Sequence, residues 1–186
     1  MAARKDGASV VALLRGINVV GKKKVPMATL RSLAEELGWR NVATYINSGN
    51  LVCAASGAPA KLAQRLEAAI EEEFGFDVAV IVRTAADWRR YAAGSAFADV
   101  ESSGPNHLLL ALAQQAPPKD VARVLQPYCA GGERVAVRGD ALWIDYASGV
   151  ARSKLTPAVL DRAVGSPVTA RNWNTVQALA RMLEGG

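Results

Sequence analysis

Val42-Ala43-Thr44-Tyr45-Ile46-Asn47-Ser48-Gly49-Asn50-Leu51-Val52-Cys53-Ala54-Ala55 holds two strand-like runs, 42–46 and 51–55, either side of a four-residue turn signal. Gly49 enters positive φ without steric cost and Asn47 or Asn50 tolerates it, so the stretch is predicted to fold as a β-hairpin. Upstream, Ser9 to Leu14 is a short apolar run between Gly7 and Gly16, which reads as a buried strand. Met27, Leu30, Ala34 and Leu37 then recur at helical spacing, with Pro26 suited to the first turn and Gly38 to the end. Downstream, Leu62, Leu66, Ile70 and Phe74 form the apolar stripe of a second helix closed by Gly75, and Val78 to Val82 is another strand. The hairpin therefore sits in the middle of a βαββαβ order, the split βαβ arrangement of ferredoxin-like folds.

After a short helix around 85–93 the order starts again. His107 to Ala113 reads as a strand and Pro118 to Tyr128 as a helix, and 133–138 pairs with 141–146 across Gly139-Asp140. A helix from about Thr156 to Val164 follows, then a short extended piece at Pro167-Val168. The last helix carries Trp173, Val176, Ala180 and Leu183 on one face. The predicted fold class is α+β: two ferredoxin-like halves, 1–83 and 84–186, with mainly antiparallel sheets packed against helices and the second half ending in the C-terminal helix. Ser95 to Pro105, flanked by Gly94 and containing Gly104, is the linker. The repeat lies in the order of elements and not in residue identity.

The chain has 186 residues, 51% hydrophobic and 21% charged, enough apolar surface to offset the entropy of folding. The longest apolar run, Leu108 to Ala113, is far short of the ~20 residues that cross a bilayer. No apolar run follows the charges of Arg4, Lys5 and Asp6, so neither signal nor transit helix is read there, and a cytoplasmic location without a membrane partner is the expectation. Cys53 and Cys129 have no Cys or His neighbours at zinc-like spacing and read as reduced, buried small hydrophobes. No set of His, Cys or carboxylate residues has a metal-ligand spacing, and no cofactor is implied. The net charge of +5 favours anionic partners by long-range steering, either a small molecule or nucleic acid.

Between the first strand and the first helix, Arg15-Gly16-Ile17-Asn18-Val19-Val20-Gly21-Lys22-Lys23 nearly spells the phosphate loop of nucleotide triphosphatases. Lys23 stands where a hydroxyl should hold magnesium, and the helix starts too late for its amides to close on the phosphates, so that chemistry is rejected. What survives is a loop with two glycines and four cations, Arg15, Lys22, Lys23 and Lys24, able to hold a single anion. The opposing reading is that three surface lysines are simply solvated. Base stacking of the RNA-recognition kind is excluded, since VVALL and LVCAA offer no aromatic side chain. Arg138-Gly139-Asp140 falls where a hairpin turn is required and is read as that turn. His107, the sole histidine, lacks triad partners and is read as structural. Trp173, at helical spacing with Val176 and Ala180, is read as core.

Several blocks carry a family resemblance: Ala12-Leu13-Leu14-Arg15-Gly16-Ile17-Asn18-Val19, Gly21-Lys22, Val25-Pro26-Met27, Thr44-Tyr45-Ile46-Asn47-Ser48-Gly49-Asn50, Arg152-Ser153-Lys154-Leu155 and Thr169-Ala170-Arg171-Asn172-Trp173-Asn174-Thr175. Together they resemble a family of bacterial proteins known as domain-of-unknown-function family 1697, over nearly the whole chain. Val20 stands where that family usually has glycine, and Asn47 where glutamine is common. The resemblance implies a compact α+β protein of two related subdomains and brings no established activity.

These blocks place polar residues at the ends of strands and helices, where a core needs none. They are expected to converge on a basic groove between the halves that takes a phosphate-bearing or nucleic-acid ligand. There Arg15, Lys22, Lys154 and Arg171 would supply charge, and Asn18, Ser48, Asn50 and Asn172 would orient the ligand. The competing local reading has Thr169 or Asn172 capping a helix, Asn47 and Ser48 serving the turn, and Arg15 in an ion pair. A second functional reading is hydrolysis of a small phosphorylated or acyl-phosphate substrate. Acylphosphatases share the βαββαβ order, and here Arg15 to Gly21 would form the cradle while Asn47 or Asn50 positions water. A third is an interaction module whose polar blocks only join its halves.

Overall fold

A computed structural model describes residues 7–147 and 149–185; Met1 to Asp6, read above for a signal, lie outside the described residues. The chain falls into two compact units, one comprising the residues up to Arg89 with those from Leu179 on, the other Arg90–Ala178. The 83/84 boundary read from the sequence falls within the last strand of the first sheet.

In the first unit the elements run β1 (Ala8–Leu14), α1 (Met27–Glu36), β2 (Arg40–Tyr45), β3 (Asn50–Ala55), α2 (Pro59–Phe74), β4 (Val80–Thr84) and α3 (Ala85–Ala92). The sheet order is β2-β3-β1-β4 with every pairing antiparallel, which is the ferredoxin-like order. Val10, Ala12 and Leu14 alternate along β1 and pack in one core with Leu30 and Ala34 of α1 and with Leu62, Leu66 and Ile70 of α2. Val11 and Leu13, on the opposite face, are also buried, so the strand reads as a continuous apolar run rather than an alternating one. Each fully buried leucine contributes about 1.5–3 kcal/mol over its exposed state. α2 ends at Gly75 in the left-handed conformation, φ 72°, as its sequence predicts.

The second unit repeats the plan with β5 (Leu108–Ala113), α4 (Val121–Leu125), β6 (Arg134–Arg138), β7 (Ala141–Asp145), α5 (Pro157–Val164) and β8 (Val168–Asn172), followed by α6 (Trp173–Glu184). Its sheet order, β6-β7-β5-β8, is that of the first sheet. Ala111, Ala113, Leu142 and Ile144 form the core with Val121, Leu125, Leu160 and Val164. The fold is therefore α+β with two four-stranded antiparallel sheets of one topology.

Three local details differ from the sequence reading. The helix of 118–128 is shorter, because Pro127 offers no N–H and the chain tightens into a 3-10 turn over Gln126–Tyr128. β4 starts two residues later than read, at Val80, whose N–H is taken by Glu67 Oε1 at 2.8 Å. The extended piece read at Pro167-Val168 opens a full strand, Val168–Asn172, paired with β5 from Ala113↔Val168 to Leu109↔Asn172. Arg171 accordingly lies in β8 and not at the start of the last helix; a neighbouring strand that supplies every backbone partner lets a polar sequence run extended. Arg138-Gly139-Asp140 forms the β6–β7 turn with Gly139 at φ 64°, and Asp140 accepts from Tyr91 Oη at 2.7 Å. Trp173 packs edge-on against Trp143, ring centroids 5.8 Å apart. Among the described residues no helix is long and apolar enough to cross a membrane.

Candidate functional site

The end of β1 and the β2–β3 turn meet. Leu14 N–H donates to the Gly49 carbonyl at 2.8 Å, and a Cβ on Gly49 would stand 2.6 Å from Leu14 Cβ and 2.9 Å from Ile17 Cδ1. Gly49 also has φ 73°, so both space and backbone demand glycine there. Asn50 is fully buried beneath the turn, its Nδ2 donating to the Tyr45 carbonyl at 3.0 Å and to Ser48 Oγ at 3.2 Å.

Asn18 ties the two segments together. Its Nδ2 donates to the Val25 carbonyl at 3.0 Å, the Asn47 carbonyl at 3.0 Å and Asn47 Oδ1 at 3.1 Å, while its Oδ1 accepts Val25 N–H at 2.9 Å. The long loop from β1 to α1 is thus closed on itself and fastened to the hairpin by one side chain. Within it, Gly16, Asn18, Val20, Gly21 and Lys23 all have positive φ, between 44° and 73°, with Ile17, Val19 and Lys22 between them on the ordinary side. Val19 to Lys22 is a tight turn closed by Lys22 N–H to the Val19 carbonyl at 3.0 Å, with positive φ at both central residues. Val20 is 93% exposed at the tip, an uncommon conformation for a β-branched side chain. Backbone that alternates in handedness turns successive N–H groups toward one side and makes an anion-binding concavity. Gly16, Val20 and Gly21 donate no backbone hydrogen bond among the described residues.

Of the loop's cations, Lys22 and Lys24 are exposed with no side-chain partner among the described residues. Lys23 turns back, its Nζ donating to the Asp77 carbonyl and lying 5.9 Å from the Phe76 ring centroid. Arg15 is half-buried, and its N–H donates to the Ala79 carbonyl at 3.0 Å. The first unit therefore gathers Arg15, Asn18, Lys22, Ser48 and Asn50 at one end of its sheet.

The remaining three residues lie in the second unit. Lys154 is exposed. Beside it Ser153 Oγ donates to Glu133 Oε1 at 2.5 Å, and that bond holds the Glu133 carboxyl below the usual carboxylate range. Arg171 is buried, and its Nη1 donates to Thr169 Oγ1 at 2.8 Å and the Ala170 carbonyl at 2.9 Å. Burial pulls the guanidinium down to about 10, which leaves it charged at neutral pH. Asn172 Oδ1 accepts Thr175 N–H at 2.9 Å, capping α6. Burial pushes the Cys53 thiol up to about 12 and raises that of Cys129, so neither is poised as a nucleophile. His107 is hydrogen-bonded through Nδ1 to the Ala147 carbonyl at 3.1 Å. Among the described residues no group of three or more His, Cys, Asp or Glu side chains is placed to hold a metal ion.

No motif in the sequence pointed to a second concavity of the first unit. A cleft of about 630 Å³ opens at the opposite end of the same sheet, lined by Trp39, Arg40 and Arg65 among others. The available signal was a Trp-Arg pair directly after the helix-ending Gly38.

The blocks that build the Asn18 loop and the hairpin fall inside a match to a known family. The family model, described as "Protein of unknown function (DUF1697)", matches residues 8–143. The chain belongs to the DUF1697 family. Its matched region runs from β1 into β7 and so includes the whole first sheet. A solved structure, that of conserved bacterial protein SP0830 from Streptococcus pneumoniae, is similar with a TM-score of 0.66 and 22% sequence identity, covering 95% of this chain and 98% of that one. At that identity the likeness speaks for the fold. No curated protein matches the chain.

Proposed function

We propose that this DUF1697 protein binds a phosphate-bearing anion, either a small phosphorylated molecule or a nucleic-acid backbone, at the loop joining β1 to α1. One observation carries the reading. The loop from Gly16 to Lys23, rich in positive-φ residues, is pinned by Asn18 on both sides, and it carries the amides of Gly16, Val20 and Gly21, unbonded among the described residues, together with Lys22 and Lys24. A mere connector needs no such fastening, and left-handed non-glycine residues cost about 1–3 kcal/mol each, which is retained where function requires it. Charge-assisted hydrogen bonds from such groups contribute about 1.5–3 kcal/mol apiece. Arg15, Lys22 and Lys24 supply the charge, while Asn18, Ser48 and Asn50 position the loop and the turn against one another. Lys154, Arg171 and Asn172 are described within the second unit and are not needed for this loop site.

The test is a thermal-shift screen with inorganic phosphate, nucleotides, sugar phosphates and short oligonucleotides, since a ligand bound only by the folded state raises the melting temperature. Arg15→Ala and the double variant Lys22→Ala/Lys24→Ala abolish the shift, whereas Lys61→Ala, on exposed α2 surface, preserves it. A nucleic-acid ligand shows a steep salt dependence, near −0.9 in log–log slope per duplex phosphate contacted, and a small phosphate compound a shallow one. No shift with any phosphate compound, or equal loss in Lys61→Ala, overturns the proposal.

A second reading, hydrolysis of an acyl phosphate at the same loop, is supported by Asn47. Its Oδ1 is held by Asn18, and its exposed Nδ2 donates to nothing among the described residues, which leaves an amide placed to orient water. Acetyl-phosphate hydrolysis that disappears in both Arg15→Ala and Asn47→Ala would favour it.

A further inference from the structure

The first unit holds a second polar concavity, at the end of its sheet away from the Asn18 loop. β2 begins there with an irregularity between Arg40 and Ala43, where Asn41 takes φ 53°; bulges of this kind redirect side chains at the end of a strand. The cleft of about 630 Å³ lies within the roughly 300–1,000 Å³ typical of small-molecule sites. Its lining mixes the charged residues Arg40, Arg65 and Glu35 with Ser56, Leu37 and Trp39.

Two of these groups are incompletely engaged. Arg65 Nη2 donates to the Leu37 carbonyl at 2.7 Å, at the end of α1, which fixes the fork while its other N–H donors find no partner among the described residues. Trp39 is 3% exposed, and its indole Nε1 is buried with no hydrogen-bond partner among the described residues. A buried N–H left without an acceptor is rare in folded proteins and marks a place where a further group belongs. A guanidinium fork held in place, in a cleft also lined by a tryptophan whose indole N–H is unpaired among the described residues, is a donor set, and its complement is a group rich in acceptor oxygens.

We infer that the cleft formed by Trp39, Arg40 and Arg65 binds a small organic oxyanion, a carboxylate or a phosphate monoester. The anionic head pairs with the two guanidinium groups and completes the Trp39 N–H, directly or through one ordered water. Glu35 accepts from a hydroxyl on the ligand body, so a hydroxylated anion fits better than a bare one. This site is separate from the β1–α1 loop and does not depend on the phosphate reading given for it.

The indole N–H makes the test direct. The chain has four tryptophans, so a nitrogen–proton correlation spectrum shows four indole signals, and Trp39→Phe identifies the one of interest. If that variant fails to fold, through-bond assignment of the unsubstituted protein serves instead. Titration with malate and with glycerol phosphate moves the Trp39 signal downfield and saturably, and whichever saturates at lower concentration identifies carboxylate or phosphate as the preferred head. Arg65→Ala, an exposed substitution, weakens the apparent affinity about tenfold or more, the loss of one charge-assisted pair. Arg15→Ala leaves it unchanged. A Trp39 signal unmoved by both probes, or a shift that survives in Arg40→Ala and Arg65→Ala alike, overturns the inference.

Discussion

Replacing Asn18 tests whether one side chain holds the β1–α1 loop. Asn18→Ala removes the pair of bonds to Val25 and the two contacts to Asn47. The three acceptors on Nδ2 share two protons, so about three net bonds are lost, roughly 2–4 kcal/mol at about 1 kcal/mol each. Alanine must also adopt φ 55°, where asparagine is tolerated, which adds about 1 kcal/mol. The sum of roughly 3–5 kcal/mol corresponds to a fall in melting temperature of roughly 6–20 °C for a chain of this size. Asn18→Gly loses the same bonds without the conformational strain, but glycine's extra chain entropy of about 0.5–1 kcal/mol offsets most of that relief, so its melting temperature falls by nearly as much as that of the alanine variant. Thermal unfolding followed by circular dichroism reads both. An Asn18→Ala melting temperature within about 2 °C of the unsubstituted protein would refute the claim that these bonds organise the loop.

Two further outcomes follow from the same geometry. Val20→Gly relieves a left-handed, 93% exposed β-branched residue, a cost of about 1–2 kcal/mol that outweighs glycine's extra chain entropy of about 0.5–1 kcal/mol; the melting temperature rises by a few degrees, and a fall would contradict the strain. Ser153→Ala removes the hydroxyl that lowers the Glu133 carboxyl, and its effect depends on pH with a definite sign. A carboxyl whose folded value lies below its unfolded one adds stability above the unfolded value and loses it as pH falls through the folded one. The unsubstituted protein therefore melts above Ser153→Ala near pH 7, and the gap narrows in increasingly acidic buffer to the part owed to the Leu155 N–H, which Ser153 Oγ also accepts at 3.1 Å.

The sequence exposed those parts of the fold that rest on periodicity and turn chemistry. The stripe Leu62, Leu66, Ile70, Phe74 and the turn around Gly49 each admit one local solution, and the order of elements then restricts the sheet to one topology. The strand Val168–Asn172 was not legible, because Thr-Ala-Arg-Asn has no apolar alternation and becomes extended only through hydrogen bonds to β5, a partner more than fifty residues earlier. Asn18 was legible as a polar residue in a loop, but its role rests on Val25 and Asn47, which only the closed loop and the hairpin bring within 3.1 Å. Trp39 gave still less warning. Its significance lies in an acceptor that is missing, and a list of residues does not show what each donor fails to reach.

The recurrence of one strand order in both sheets also bears on how such a chain can change over time. Each sheet is laid over its own cluster of apolar side chains, so a loop at one strand end can lengthen or lose its polar residues without disturbing the other sheet's foundation. The segment after β1 is a long basic loop, while its counterpart after β5, Gln114 to Asp120, is shorter and includes two prolines. A twofold scaffold of this kind offers a spare position for innovation at every strand terminus, and descendants that differ in chemistry would keep an almost invariant frame.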